Sequence, residues 1–224
     1  MTLINGDSLE LLRKTRPETF DMVLTDPPYM QHYASHRAGK AWKFANEIKN
    51  DSPSDFATIR DIINECYRVL KPNSAAFFFC NTNAIDLFKQ AIEEAGFTIK
   101  NIIIWNKGNH TAGDLEAALG HCYEFIILAN KGRRKFNGKR IEDIVQFNRV
   151  PHNHAIHQNQ KPQELLRLLI EKWSEPGDLI LDPFAGSGST LMAAHKLGRY
   201  CTAIELDIDT YKRAAEWLEQ EGVL

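Results

Sequence analysis

Two short segments that follow apolar runs carry the side chains best suited to chemistry. Asp26-Pro27-Pro28-Tyr29 follows the run Met22-Val23-Leu24, and a glycine-rich turn beginning at Asp182 follows Leu179-Ile180-Leu181. Apolar runs of this kind predict buried parallel strands, and open α/β sheets bind ligands at the carboxyl ends of such strands. Two such turns in one sheet indicate two ligands brought together, which is the geometry that group transfer needs.

The second turn, Asp182-Pro183-Phe184-Ala185-Gly186-Ser187-Gly188-Ser189-Thr190, predicts a close approach between backbone and ligand. Gly186 and Gly188 allow that approach and the sharp entry into a following helix. Position 191 is Leu, so the third glycine of a dinucleotide site is absent. The helix N-terminus offers N–H donors to a carboxylate. Glu205, 19 positions after Gly186, has the spacing of an acid that accepts from ribose hydroxyls.

Strand-like and helix-like segments alternate along the chain, which predicts a mainly parallel sheet with helices on both faces. The predicted strands are residues 2–5, 21–25, 75–80, 97–105, 122–129, 178–181 and 200–204. The predicted helices are residues 8–14, 54–70, 84–95, 162–173, 190–197 and 208–219. We therefore expect residues 1–224 to form one α/β domain with a seven-stranded sheet.

The composition is typical of a globular protein without a membrane segment. Of 224 residues 43% are hydrophobic, and no apolar run approaches the ~18 residues of a membrane span. The N-terminus lacks the basic and apolar regions of a signal peptide, and the four cysteines form no Cys-x-x-Cys pair. We expect a cytoplasmic protein with reduced thiols.

Charge is distributed unevenly, although the formal net charge is only -2. Between residues 131 and 149 only Glu142 and Asp143 oppose seven cations, which are Lys131, Arg133, Arg134, Lys135, Lys139, Arg140 and Arg149. Such a run is either a solvated loop or a nucleic-acid contact. A second polar stretch, at about 30–53, interleaves aromatic with basic residues, and long loops of this kind are usually functional or mobile.

In this order the segments resemble the β-class S-adenosylmethionine-dependent DNA methyltransferases that modify exocyclic amino groups. A third segment, His157-Gln158-Asn159-Gln160-Lys161-Pro162, is similar to the family's His-Pro-x-Gln-Lys-Pro, with Gln158 in place of the usual proline. The resemblance covers nearly the whole chain. It implies a permuted Rossmann-like methyltransferase fold, in which the strand at 2–5 supplies the strand that is missing after the last helix.

The resemblance implies S-adenosyl-L-methionine as the cofactor and a set of residues that bind it. Asp182 is assigned to the methionine amino group, Glu205 to the ribose, Asp7 to the adenine ring and Lys161 to the carboxylate. The other expected cofactor contacts are His157, Phe184, Ala185, Gly186, Ser187, Gly188, Ser189, Thr190, Leu206 and Asp207. A rival interpretation of the region is a metal site of His152, His154 and His157. Cysteine or carboxylate partners at finger-like spacing are absent there, so we expect no metal.

The tetrad Asp26-Pro27-Pro28-Tyr29 is expected to activate the acceptor amine. An exocyclic amino nitrogen shares its lone pair with the ring, so the enzyme must favour a pyramidal nitrogen. The Asp26 carboxylate and the Pro27 carbonyl accept the two N–H bonds, and the Pro28 ring fixes the direction of that carbonyl. Tyr29 provides a flat face for the base. Because a base inside a duplex cannot reach such a pocket, the target must be flipped out.

The implied substrate is double-stranded DNA. Residues at about 30–53 are expected to close over the flipped base, and a small target-recognition insertion is expected at about 130–156. The expected DNA-binding residues are Arg37, Lys40, Lys43, Arg133, Arg134, Lys135, Lys139, Arg140 and Arg149. A homodimer would extend so short a recognition region, and the resemblance also allows a cognate restriction nuclease as a partner.

Asp at position 26 favours the N6 amino group of adenine, because Ser-Pro-Pro-Tyr is commoner in the cytosine-N4 enzymes. Three alternatives stay open: an N4-cytosine enzyme with the same pocket, an enzyme that methylates RNA or a protein amide, and a protein that binds cofactor and DNA without catalysis. The absent third glycine disfavours a nucleotide-dependent oxidoreductase. The absence of a Pro-Cys pair disfavours methylation at cytosine C5.

Overall fold

A mixed eight-stranded sheet forms the centre of the protein. In the computed structural model, residues 1–29, 56–110, 116–117, 119–150 and 160–224 are described. The strands are β1 (Thr2–Asn5), β2 (Phe20–Thr25), β3 (Leu70–Cys80), β4 (Thr98–Asn106), β5 (Tyr123–Lys131), β6 (Ile144–Gln146), β7 (Leu179–Asp182) and β8 (Tyr200–Glu205). Their order in the sheet is β1-β8-β7-β2-β3-β5-β4-β6, and β5 runs antiparallel to both of its neighbours.

Helices cover both faces of the sheet, as predicted. They are α1 (Ser8–Lys14), α2 (Phe56–Val69), α3 (Ile85–Glu94), α4 (Gln163–Trp173), α5 (Ser189–Lys196) and α6 (Ile208–Gln220). Leu165 of α4 and Leu191 of α5 pack in one core with Phe77, whereas Ile63 of α2 packs in the other core with Phe78. Phe77 and Phe78 are consecutive in β3 and therefore point to opposite faces.

The N-terminal strand occupies the place that the permuted fold requires. β1 pairs in parallel with β8, which sets Leu3 beside Ala203 and Asn5 beside Glu205. The backbone N–H of Gly6 donates to the carbonyl of Glu205 at 3.0 Å. The two ends of the chain thus meet in one sheet, and the predicted permuted methyltransferase fold is confirmed.

The sheet has one strand more than the seven predicted. β6 lies in the basic stretch, where no strand is predicted, and it pairs in parallel with β4, Ile104 beside Ile144. Three residues are too few to produce a recognisable alternating pattern. β3 also begins earlier than predicted and includes Asn73, whose φ of 57° is in the left-handed region. The Asn73 side chain accepts from the N–H of Arg133 at 3.1 Å, which stabilises this conformation.

Parts of two predicted regions lie outside the described residues. These parts are residues 30–53, with Arg37, Lys40 and Lys43, and residues 151–156 of the recognition insertion. Within the described part of the chain, no helix combines the length and the apolar character needed to cross a membrane.

Candidate active site

The two turns singled out in the sequence meet at the carboxyl edge of the sheet. β2 and β7 are parallel neighbours, with Val23 beside Leu181. Asp26 directly follows β2 and Asp182 ends β7, so the two acids lie close together. The hydroxyl of Thr25 donates to a carboxylate oxygen of Asp182 at 2.8 Å and ties the turns to each other. The expected juxtaposition of the two turns is therefore present.

Asp26 lies in a largely buried network of charges. The Lys161 ammonium donates to one of its carboxylate oxygens, and the Tyr29 hydroxyl donates to the other. The Lys161 ammonium also lies 3.4 Å from the carboxylate of Glu124. The second oxygen of Glu124 pairs with the Lys107 ammonium at 2.6 Å. Two acids and two lysines thus alternate, and their formal charges cancel.

The sheet positions this network from four separate elements. Asp26 follows β2, Lys107 follows β4, Glu124 lies in β5 and Lys161 precedes α4. The Lys107 N–H donates to the carbonyl of Cys122 at 2.7 Å, which closes the β4–β5 pair beside Glu124. The Lys161 ammonium also lies 5.0 Å from the centre of the Phe79 ring, a cation–π contact. The ammonium is thus held between two carboxylates and an aromatic face.

Burial and charge shift the pKa values of these groups in different directions. Burial raises the pKa of Asp26; Lys161 opposes that rise and the Glu124 carboxylate adds to it. Burial would raise the pKa of Glu124, but the two lysines outweigh it and hold the value below its usual one. Burial would lower the pKa of Lys161, but Asp26 and Glu124 outweigh it and raise the value. At neutral pH Lys161 therefore stays cationic, and Asp26 is the acid of the pair that takes up a proton more readily.

Tyr29 connects the network to both cores of the protein. Its ring is half-buried and packs against both hydrophobic clusters. Burial, with the nearby Asp26 carboxylate, raises the pKa of Tyr29 well above its usual value. The phenol therefore remains protonated and donates to Asp26.

The glycine turn after β7 has a backbone conformation and a packing that require glycine. Gly186 and Gly188 have φ values of 51° and 77°, a region that favours glycine. A Cβ on Gly188 would lie 2.8 Å from the side chain of Leu218, so a larger residue would disturb the packing of α6. Gly188 is the N-cap of α5 and has no side chain. The first-turn N–H groups of α5 are thereby left to a ligand such as a carboxylate.

Asp182 is the most buried acid of this edge, with 3% of its surface exposed. It accepts from Thr25 and, at 3.1 Å, from the N–H of Phe184. Burial raises the pKa of Asp182 to about 7, although these hydrogen bonds favour the charged form. A cationic ligand placed here would restore the ionised carboxylate.

Glu205 and Asp7 continue the row of acids along the carboxyl edge, at the ends of β8 and β1. Glu205 accepts from the N–H of Gly186 at 2.9 Å and from that of Asp207 at 2.8 Å. Burial raises its pKa, and the backbone donors oppose that rise. Asp7 is the N-cap of α1 and accepts from the N–H of Glu10 at 2.9 Å. The three acids assigned to the cofactor thus lie in the order of the strands β7, β8 and β1.

The other residues expected at the cofactor have two different outcomes. The described ones lie around the same turn and the end of β8; they are Phe184, Ala185, Ser187, Ser189, Thr190, Leu206 and Asp207. His157 lies outside the described residues. Lys161, assigned from the sequence to the cofactor carboxylate, instead places its ammonium on Asp26. Among the described residues no three His, Cys, Asp or Glu side chains form a group that could hold a metal ion.

Two members of the network, Lys107 and Glu124, are not predicted from the sequence. Glu124 is a charged residue in a strand whose remaining length is largely apolar. A charged residue in such a strand indicates that an oppositely charged partner lies nearby, since buried charges are normally paired. Its partners come from β4 and from the segment before α4, and their proximity follows from the sheet topology.

The expected DNA-binding cations of the basic stretch fall at opposite edges of the sheet. The carboxyl edge of the sheet, which carries the tetrad, is here called the catalytic edge. β5 runs away from it, and Glu124 and Asn130 are six residues apart in this strand, about 20 Å. Arg133, Arg134, Lys135, Lys139 and Arg140 come after the far end of this strand. β6 then returns beside β4 and brings Gln146 to Asn106, near the catalytic edge. Arg149 follows there.

Sequence comparison places the chain in a known family. The family profile N6_N4_Mtase, described as DNA methylase, matches residues 20–216. The protein YubD of Escherichia coli (strain K12) is 32% identical over 213 residues, which cover 95% of this chain and 87% of YubD. The type II methyltransferase M2.DpnII of Streptococcus pneumoniae is 30% identical over 243 residues, covering 99% of this chain and 91% of that protein.

Solved structures share the fold. M1.HpyAVI superposes with a TM-score of 0.74 at 22% identity, covering 97% of this chain and 98% of the other. The cytosine-N4-specific PvuII DNA methyltransferase superposes with a TM-score of 0.75 at 18% identity, covering 95% and 84%. At these identities the likeness shows the fold alone. Because the family profile matches most of the sequence, the chain belongs to the DNA methylase family of N6 and N4 amino-methyltransferases.

Proposed function

We propose that the protein transfers a methyl group from S-adenosyl-L-methionine to the N6 amino group of a flipped-out adenine in double-stranded DNA. The observation that carries this proposal is the meeting of the Asp26 tetrad with the glycine turn of Asp182 on neighbouring strands. That arrangement sets an acceptor for amine protons beside a pocket for an amino-acid-bearing nucleoside. Asp rather than Ser at position 26 favours adenine over cytosine.

The groups around the glycine turn fit S-adenosyl-L-methionine. Buried Asp182 suits the methionine ammonium, and the open N-terminus of α5 suits the carboxylate. The positions of Glu205 and Asp7 at the next two strand ends support their assignment to the ribose and the adenine. Gly188 adopts a φ of 77° and packs against Leu218, so the turn that opens α5 depends on glycine there. When bound, the cofactor supplies a methyl group on a positively charged sulfur.

The tetrad would hold the target amine in line with that methyl group. Each oxygen of the Asp26 carboxylate keeps a lone pair beyond its bond to Lys161 or Tyr29, so one can accept an amino N–H. The Pro27 carbonyl accepts the second N–H. Lys161 opposes the rise in the pKa of Asp26 that burial causes and so favours the ionised, accepting form. As the nitrogen gains the methyl group it must lose a proton, and Asp26 is the acceptor within reach.

The proposal is tested by methyl transfer to unmethylated plasmid DNA with isotope-labelled S-adenosyl-L-methionine, followed by nucleoside mass spectrometry. We expect labelled N6-methyladenine, and sequencing of the same DNA locates the methylated site. Labelled N4-methylcytosine would mean that the same pocket acts on cytosine instead of adenine. No label in DNA, with the cofactor still bound, would contradict the proposal and favour RNA, a protein amide or a binding role without catalysis.

Cofactor affinity is expected to depend on pH through Asp182. The pKa of Asp182 is about 7 without a ligand, and an ammonium group requires the carboxylate. Below that pH a proton must leave before the cofactor binds, so the dissociation constant should rise up to about tenfold per pH unit. Calorimetric titration between about pH 6 and pH 8 measures this. In Asp182→Asn the affinity should be weaker and nearly independent of pH; a slope that persists in this variant would assign the proton to another group.

A further inference from the structure

The segment that joins β5 to β6, residues 132–143 and here called the basic loop, begins at the amino edge of the sheet, beyond the end of β5, and ends beside Ile104 of β4. Five cations lie in it, namely Arg133, Arg134, Lys135, Lys139 and Arg140, against Glu142 and Asp143. Of the five cations, all but Arg134 are exposed. Lys100 of β4 adds a sixth cation to the same surface.

Hydrogen bonds to the C-terminal part of α4 hold the basic loop in place. The N–H of Asn137 donates to the carbonyl of Lys172 at 2.7 Å, and its side chain donates to Glu171 and Ser174. The Lys172 ammonium donates in return to the carbonyls of Asn137 and Lys139 at 3.1 and 2.5 Å. Phe136 packs on Trp173, with ring centroids 6.1 Å apart. These contacts with α4 therefore fix the backbone that carries the cations.

Arg134 has hydrogen-bonding capacity that the described residues do not use. It lines a cavity of about 960 Å³, with Lys100, Arg133, Lys135 and Arg140 around it. Its Nε and one terminal nitrogen are buried and lack a hydrogen-bond partner in the described part of the chain. The nearest acid, Glu175, lies 3.7 Å from that terminal nitrogen, beyond hydrogen-bond range. Because both nitrogens are shielded from solvent, phosphate oxygens entering the cavity would instead reach the exposed guanidinium groups of Arg133 and Arg140, and a guanidinium suits phosphate oxygens in particular.

We infer that the basic loop binds the phosphate backbone of DNA flanking the target, and that it does not read the target bases. This inference rests on the proposed function. The start of the loop, where Arg133, Arg134 and Lys135 lie, is about 20 Å from the catalytic edge, measured along β5, whereas its last residue, Asp143, accepts from the N–H of Ile104 in β4. At about 3.4 Å per base pair, that distance corresponds to about six base pairs. A duplex that follows the β4–β6 edge would meet Gln146, Asn148 and Arg149 near the flipped base and the basic loop on the flank.

The charge and shape of the surface favour duplex backbone over the alternatives. Six cations outnumber the nearby acids Glu142, Asp143 and Glu175, and such a positive excess suits a polyanion. Phosphate contacts carry position rather than sequence. Asn148 lies at the catalytic edge, where its side chain approaches Gly108 beyond the end of β4. The polar side chains able to read bases thus lie nearer the tetrad than the loop does. Of the predicted DNA-binding residues, Arg149 therefore lies near the target base, whereas the cations of the basic loop contact the flanking backbone.

The test compares duplexes centred on the methylated site with about two or about twelve base pairs of flank on each side. The wild type should bind the longer duplex more tightly. In Arg133→Gln/Arg140→Gln, two exposed positions, the slope of log affinity against log salt on the longer duplex should fall by about 1.8, or about 0.9 per lost contact. Binding of the shorter duplex and the methylated sequence should not change. The control is Lys212→Gln, which should behave as wild type. Lys212 is exposed on α6, a helix that lies next to β1 and β8.

Two results would overturn the inference. Equal loss on both duplexes, or an altered methylated sequence, would mean that the loop contacts the target itself. An unchanged salt slope together with a change in sedimentation would mean that the loop joins two copies of the protein. Failure of the proposed function is distinguishable, since the duplexes would then bind without becoming methylated.

Discussion

Asp26→Asn is expected to lower the rate of methyl transfer at least about 100-fold. The amide keeps the shape of the side chain, but it is neutral and its NH₂ group cannot accept from the amine. The negative charge that stabilises the developing ammonium is lost, and so is the acceptor for the departing proton. Single-turnover transfer of labelled methyl to plasmid DNA measures the chemical step. Cofactor affinity, measured by calorimetry, should stay within about threefold, because Asp182 and Glu205 are unchanged.

The matched control for this variant lies in the same strand. Asp21 of β2 pairs with Lys71 at 2.6 Å, with 22% of its side chain exposed, and it lies at the end of β2 remote from the tetrad. Asp21→Asn should leave the rate within about twofold, although it removes the same charge. If Asp26→Asn retained the wild-type rate within about tenfold, the carboxylate would not be the acceptor that matters. The Pro27 carbonyl and cofactor alignment would then have to account for the catalysis.

The position of the catalytic edge follows from local sequence. Apolar runs before Asp26 and Asp182 predict two buried strands, and parallel strands of one sheet end at the same edge. The helices are predictable because their apolar spacing is regular and their caps lie close in sequence, as with Asp207 before α6. These patterns need no knowledge of which elements become neighbours.

The charge network and the position of the basic loop are not predictable in that way. Whether Glu124 lies beside Lys161 or far from it depends on β5 being antiparallel to β3. The same reversal carries the basic loop away from the tetrad. At β6 the chain reverses again toward the tetrad, and a strand of three residues is too short to be predicted from the sequence. The chemistry of the side chains can therefore be predicted from the sequence. Which elements distant in sequence become neighbours can be known only from the structure.

Lys161→Met is expected to lower the free energy of unfolding by about 3–5 kcal/mol, the largest stability change of the variants considered. The Lys161 side chain is 9% exposed and touches two carboxylates. Methionine fills a similar volume but leaves Asp26 and Glu124 facing each other with Lys107 as the remaining cation. Urea unfolding at neutral pH measures the difference. Lys71→Met breaks the more exposed pair with Asp21 and should cost less than about 1 kcal/mol.

The loss in Lys161→Met should shrink as the pH is lowered. Without the lysine, the pKa of Asp26 should rise further, since burial and Glu124 already raise it and Lys161 opposes them. An acid whose folded pKa lies above its unfolded value binds its proton more tightly when folded. Its destabilising effect is therefore present above the folded pKa and is relieved as the pH falls through that value. A stability difference that stays constant between about pH 8 and pH 5 would mean that lost packing, not charge, causes the effect.

Glu124→Gln in the Lys161→Met background separates the two acids. If Lys161 serves both carboxylates, removing one of them should recover part of the lost stability, so the double variant should be more stable than the sum of the single effects predicts. Strict additivity would mean that the 3.4 Å contact between Lys161 and Glu124 contributes nothing. Methyl transfer by the same proteins extends the test to function, because Glu124→Gln alone removes a charge that raises the pKa of Asp26. The acid limb of its pH–rate profile should therefore move to lower pH, a shift that loss of packing would not produce.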